Sequence, residues 1–137
     1  QALRGAPRLR VRDEPAAGLD PDQRLRLRHT LSAAGEHATV VVSTHLTEEA
    51  AAVSTAVVVI DGGRLRFHGA PAQLTAQAEG RVWVSPAPTA AARRTWRLPD
   101  GRYRCIGNPP AGAQPVAPSM EDGYLLLVSD PATAMVP

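Results

Sequence analysis

The sequence predicts an α/β fold, a mostly parallel sheet with flanking helices, followed by a small α+β C-terminal appendage. Three observations carry this. Two short β-branched runs, Val40-Val41-Val42 and Val57-Val58-Val59-Ile60, each follow a helical pattern, which is how buried parallel strands read. Asp20-Pro21 marks a helix start between a first strand and the first of these runs. Beyond Gly80 the pattern shifts to short strands, turns and a stretch rich in Pro, Ala and Gly.

Taken in order, Ala6-Pro7 is a turn before a strand at Leu9–Asp13. Only Leu9 and Val11 are apolar there, and Arg10 and Arg12 alternate with them. A central parallel strand is apolar on both faces, so this one is expected to be half-exposed. A helix is expected over 21–34. Asp20 is its N-cap, Gln23 the capping-box partner, Leu27, Leu31 and Ala34 its apolar stripe, and Gly35 its stop. A buried strand follows at Thr39–Ser43. Thr47 is expected to cap a second helix ending near Val53, with Glu48 and Glu49 in its first turn.

A third strand is expected over 56–61, turned by Gly62-Gly63 into an edge strand over 64–68. Pro71 opens a short helix over 72–78 that Gly80 ends. Val82-Trp83-Val84 reads as a strand and 90–94 as a helical turn. Segments 96–98 and 103–106 read as a hairpin across Pro99-Asp100-Gly101. Residues 107–118 read as a linker, and Ser119 caps a last helix over Met120–Val128, with the tail beyond Asp130 frayed.

The 137 residues suit one domain, or one with a small appendage. The net charge is +2, with acids and bases intermixed. No basic tract suggests a nucleic-acid footprint, and no nucleic-acid partner is expected. All fifteen basic residues are Arg and none is Lys. A single cysteine, Cys105, rules out an internal disulfide and fits a reducing compartment. No apolar run approaches the length of a membrane span, so direct membrane insertion is not expected. No signal peptide is visible, and the chain begins with Gln1 and not Met, so a fragment, or a chain with its start removed, is expected.

The chemistry concentrates in Asp13-Glu14-Pro15, Gly18-Leu19-Asp20-Pro21 and Ser43-Thr44-His45. A short strand ending in Asp-Glu puts two carboxylates at the carboxyl edge of a sheet, where α/β proteins hold ligands. A Ser-Thr-His strand tip can sit beside them. Singly, each residue has a plainer reading. Asp20 is a helix cap, Glu14 a loop acid and His45 a strand-end polar residue. The remaining histidines, His29, His37 and His68, fit no ligand spacing and read as solvated, and Cys105 reads as a small strand residue.

Taken together and in this order, these residues resemble the second half of an ABC-transporter ATPase subunit, of the P-loop NTPase superfamily. Residues 8–14 resemble its Walker B strand and Ala17-Gly18-Leu19-Asp20 its D-loop. His45 resembles its switch histidine, and 57–69 the hairpin that follows. Gln1-Ala2-Leu3 resembles the end of the helix after the signature motif. The resemblance covers 1–79, taken as the C-terminal part of the nucleotide-binding domain. Residues 80–137 resemble, less specifically, the accessory region of drug-exporter-like members, through Gly80-Arg81-Val82-Trp83 and Pro118-Ser119-Met120-Glu121-Asp122-Gly123-Tyr124-Leu125.

The resemblance implies roles. Asp13 would hold Mg²⁺ through a water, an ion that favours carboxylate and phosphate oxygens. Glu14 would accept the proton of the attacking water. His45 would contact the γ-phosphate. Gly18 and Asp20 would reach a second nucleotide site across a dimer. The cofactor would be Mg-ATP. The partners would be membrane permease subunits and a second ATPase subunit, at the cytoplasmic face of the cell membrane.

A P-loop needs a Gly-rich turn and a Lys. These residues contain no Lys, so the phosphate cradle is not among them. Leu31-Ser32-Ala33-Ala34-Gly35 is similar to the family's signature but follows the D-loop, and reads as an ordinary helix end. The chain alone is therefore expected to show neither ATPase activity nor tight nucleotide binding. Three readings stand at this point: part of an exporter ATPase, a truncated inactive pseudoenzyme or interaction module, and a non-transport, nucleic-acid-associated relative. The exporter-like tail and the absence of a basic patch disfavour the third.

Overall fold

The computed structural model describes residues 8–128. The expected turn at Ala6-Pro7, the resemblance at Gln1-Ala2-Leu3 and the tail after Asp130 lie outside them. Two compact units form, one ending at Ser54 and the other beginning at Thr55.

The first unit contains β1 (Leu9–Asp13), α1 (Pro21–Gly35), β2 (Thr39–Ser43) and α2 (Thr47–Val53). Its helix start is built as its residues dictate. The Asp20 carboxylate accepts from the Gln23 amide at 2.8 Å, and the Gln23 side chain accepts from the Asp20 N–H at 3.1 Å. Leu27, Leu31 and Ala34 form a half-buried stripe. β1 and β2 pair in parallel, with Leu9 opposite Thr39 and Asp13 opposite Ser43. α1 packs on β2, and Val40 and Val42 are half-buried.

The opposite face overturns the expectation of a buried β2. Leu9, Val11 and Val41 share that face and are 57%, 63% and 48% exposed. Two strands with one helical layer leave it without cover among the described residues. Arg12 is exposed, while Arg10 is half-buried and its Nε finds no hydrogen-bond partner among the described residues. The cap of α2 is also corrected. Leu46 is its N-cap, with no side-chain cap bond, and Thr47 is already helical.

The second unit contains β3 (Val57–Asp61), β4 (Arg64–Gly69), α3 (Pro71–Ala76), β5 (Val82–Ser85), β6 (Ala92–Arg97), β7 (Tyr103–Gly107) and α4 (Met120–Val128). β3 and β4 form an antiparallel hairpin. Its turn residues, Gly62 and Gly63, have φ of 56° and 73°, the left-handed pair that a tight two-residue turn requires. Of the β3 side chains only Val59 is buried, while Val58, Ile60 and the facing Leu65 are exposed. The expected burial of this strand is thus not met, because a two-stranded ribbon covers neither of its own faces.

β5, β7 and β6 form a three-stranded antiparallel sheet in that spatial order. The mostly parallel sheet that the sequence predicts is therefore represented, among the described residues, by the β1–β2 pair alone. Residues 90–94 do not make a helical turn. From Ala92 they join the ladder to β7, with Arg94 opposite Ile106, and pairing overrides the weak helical preference. Gly107 closes β7, and residues 108–118 have no helix or strand of their own, yet they are tied along β5: the Val116 N–H donates to the Val82 carbonyl at 2.9 Å, and Trp83 bridges Pro115.

Ala78, Val82, Ile106 and Leu126 form a buried cluster, with Trp96, Val116 and Leu125 packed against it. α3 and α4 meet at Gly123. A Cβ there would collide with the Leu74 carbonyl oxygen and sit 2.8 Å from its carbon. Backbone atoms cannot swing aside as a side-chain tip does, so Gly123→Ala is expected to lower stability by about 1–3 kcal/mol. The urea midpoint of the full chain measures this, and an unchanged midpoint would contradict the close approach.

Candidate functional site

The parallel register that sets Asp13 opposite Ser43 also assembles the polar end of the first unit. The Ser43 hydroxyl donates to Oδ1 of Asp13. Glu14 follows with φ of +43°, a left-handed conformation unusual for a residue with a side chain. Its N–H donates to the Ser43 carbonyl at 2.9 Å, extending the ladder by one bond past the strand end. The turned backbone sends the Glu14 carboxylate to the tip of β2.

Three groups meet it there. Oε1 accepts from the His45 backbone N–H at 2.9 Å and lies 2.8 Å from His45 Nδ1. Oε2 accepts from the Thr44 hydroxyl at 3.3 Å. The Thr44 oxygen in turn accepts from the Leu46 N–H at 3.1 Å. The His45 side-chain hydrogen bond holds the Glu14 carboxyl below the usual carboxylate range. Partial burial pushes the other way, and the His45 charge, its backbone N–H and the Thr44 hydroxyl add to the lowering. The carboxylate is therefore ionised at neutral pH and accepts only, so Nδ1 carries the proton and Nε2 is the ring nitrogen left for a ligand. The His45 side chain is 74% exposed and that of Glu14 35%.

The structure thus brings Asp13, Glu14 and His45 together, as the sequence suggests. Gly18 and Asp20 belong to the turn and the start of α1. Gly18 has φ of 72° with open space where a Cβ would stand, so the turn requires it for its backbone. The Asp20 side chain is engaged as the cap of α1. Between them the turn is closed by Ala17 N–H to the Glu14 carbonyl at 3.1 Å and Leu19 N–H to the Ala16 carbonyl at 3.3 Å, over a buried Ala16.

A clamp between the helices went unread in the sequence. Glu49, read there only as a first-turn acid, is 8% exposed. Arg28 meets it with two nitrogens, at 3.1 and 2.9 Å. Arg24 lies 3.8 Å from it and also donates to the Leu19 carbonyl. The Arg28 hydrogen bond holds Glu49 below its usual range despite its burial, and Arg28 is raised in return. The available signal was Arg24 and Arg28, one turn apart beside the Leu27–Leu31 stripe, where a basic pair needs an acid.

Among the described residues no group of three or more His, Cys, Asp and Glu side chains is arranged to hold a metal. Mg²⁺ does not require one, since it binds through one or two carboxylates together with waters and substrate phosphates. Asp13, a single carboxylate at a sheet edge, fits that mode. The triphosphate is not matched in the same way, because no Lys is present to cradle it.

Among the described residues no helix is long and apolar enough to cross a membrane. No protein-family model matches the chain. Curated relatives do match. The chain is 36% identical over 73 residues to ABC transporter A family member 6 of Arabidopsis thaliana, covering 53% of this chain and 8% of that protein. It is 42% identical over 71 residues to an energy-coupling factor transporter ATP-binding protein of Streptococcus sanguinis, covering 50% and 25%. It is 41% identical over 78 residues to Nod factor export ATP-binding protein I of Cupriavidus pinatubonensis, covering 54% and 23%. The chain therefore spans a quarter or less of the length of these relatives. Over about half of its own length it is similar to ABC transporter ATP-binding proteins, which supports a partial ABC-type ATPase.

Proposed function

We propose that this chain is the Walker B, D-loop and switch-histidine portion of the ATP-hydrolysing subunit of an ABC membrane transporter of the exporter type. Residues 1–79 then belong to the nucleotide-binding domain of a P-loop NTPase fold, and 80–137 form its accessory region. The subunit works as a dimer docked on permease subunits, at the cytoplasmic face of the membrane, with Mg-ATP as cofactor. The observation that carries this reading is the Glu14–His45 pair beside Asp13, at the carboxyl end of a parallel strand pair.

The division of labour follows from the groups present. Glu14, ionised and fixed by its neighbours, accepts a proton from a water. His45 keeps Glu14 in place through Nδ1 and offers Nε2 to a phosphate oxygen. Asp13, steadied by Ser43, would hold the metal through a water. Bound Mg²⁺ would supply charge neutralisation on the transferring phosphate. Gly18 and Asp20 form the surface turn that meets the second subunit.

The absence of Lys favours a second reading, a catalytically inactive pseudoenzyme or interaction module. Mixing separates the two. The full chain, combined with a separately produced P-loop-bearing half of an ABC ATP-binding protein, is expected to hydrolyse Mg-ATP where neither part does so alone. Binding of the two parts without hydrolysis points instead to the inactive module.

A further inference from the structure

The Thr44 hydroxyl has one proton and two lone pairs, and the structure uses both kinds of capacity. The Leu46 N–H occupies a lone pair at 3.1 Å. That bond alone would be a local turn of the kind Ser and Thr often make two residues before a helix. It leaves the hydroxyl proton, which goes to Oε2 of Glu14 at 3.3 Å. Oε1 is already held by two nitrogens of His45. The carboxylate is thus gripped at both oxygens, from two adjacent residues of the β2–α2 junction. We propose that Thr44 is a positioning residue for Glu14, its hydroxyl aimed by the Leu46 N–H so that it fixes the carboxylate oxygen that His45 does not reach.

Residue type supports this. A β-branched side chain has few χ1 rotamers, so Thr delivers its hydroxyl with less freedom than Ser. A cap of α2 would not explain the contact, because Thr44 lies before the N-cap Leu46. The catalytic consequence rests on reading Glu14 as the base, whereas the grip itself does not.

The test separates the two. The mobility of the Glu14 side chain is followed by carbon NMR relaxation in the full-length chain at neutral pH. Thr44→Val removes the hydroxyl and keeps the shape. It is expected to free the carboxylate oxygen that His45 does not reach, so that the Glu14 side chain relaxes as a more mobile group than in wild type. Thr44→Ser is expected to restore most of the wild-type order. A Thr44→Val chain that is folded, by its dispersed amide spectrum, but holds Glu14 as rigidly as wild type does would overturn the proposal. So would Thr44→Ser behaving as Thr44→Val. In the reconstituted ATPase, Thr44→Val is expected to lower kcat with little change in KM for ATP. If the mixture is inactive while the loosening of Glu14 is found, the ATPase reading fails and the grip of Thr44 on Glu14 stands.

Discussion

Glu14→Gln is expected to lower Mg-ATP hydrolysis by the reconstituted subunit roughly 100-fold or more, the typical loss when a positioned general base is removed. The substitution is chosen because it alters little else. Glutamine has the same shape, and its carbonyl oxygen can still accept from the His45 N–H that Glu14 now binds at 2.9 Å. Its amide can donate to the Thr44 oxygen in place of accepting from it. The end of β1, the Glu14 N–H bond to Ser43 and the turn to α1 are backbone features and remain. What is lost is the capacity to take a proton. Phosphate release at saturating Mg-ATP measures the effect, and association of the two halves in the presence of nucleotide reports that the site is still assembled. A variant that keeps more than a tenth of the rate would remove Glu14 from the role of base.

Asp122→Ala is expected to destabilise the second unit by about 3 kcal/mol. Asp122 is fully buried and accepts four hydrogen bonds. Two come from Arg104, at 3.1 and 2.6 Å, and two from Ser119, its N–H at 2.6 Å and hydroxyl at 2.9 Å. It therefore ties β7 to the start of α4 and closes the helix cap. Truncation leaves the Arg104 guanidinium without its counter-ion, which is why the cost exceeds that of a surface pair. Arg104 keeps the Ala117 carbonyl at 2.9 Å, which places the loss at the low end of the range for a broken buried pair.

Acid should act on the same bond. Burial pushes the Asp122 carboxyl up, but Arg104 and the two Ser119 donors outweigh it and hold the group below its usual range. A carboxyl with a depressed folded pKa gives stability that is complete above its unfolded value, about 3.9. That stability is lost as pH falls through the folded value. The gap in urea midpoint between wild type and Asp122→Ala should thus be full at pH 7 and narrow well below pH 4. A constant gap across that range would show that the ion pair is not its source.

The contrast between what the residues announce and what they conceal follows the reach of each interaction. β1, α1, β2 and the β3–β4 turn are set within a few residues: the Asp20–Gln23 box, Pro21, the Val runs and Gly62-Gly63 each act locally. The pairing of Glu14 with His45 was legible only as proximity of two strand ends, and the parallel register supplies the rest. Burial was misjudged for β2 and β3, because composition records what a strand is suited to and not what lies over it. β6 was missed at its start because Ala90-Ala91-Ala92 favours helix locally and the ladder to β7 is formed with residues more than ten positions away. The Arg28–Glu49 clamp and the Arg104–Asp122 pair join residues 21 and 18 positions apart, and no short pattern encodes such partners.

The left-handed backbone at Glu14 sets folding and chemistry against each other at a single position. Glycine adopts that conformation without steric penalty, and asparagine tolerates it better than glutamate does. A screen that rewards only heat resistance would therefore enrich glycine or asparagine at position 14. Each such winner would have discarded the carboxylate that His45 and Thr44 converge on, so improvement in the folded state would be selected together with silence at the site.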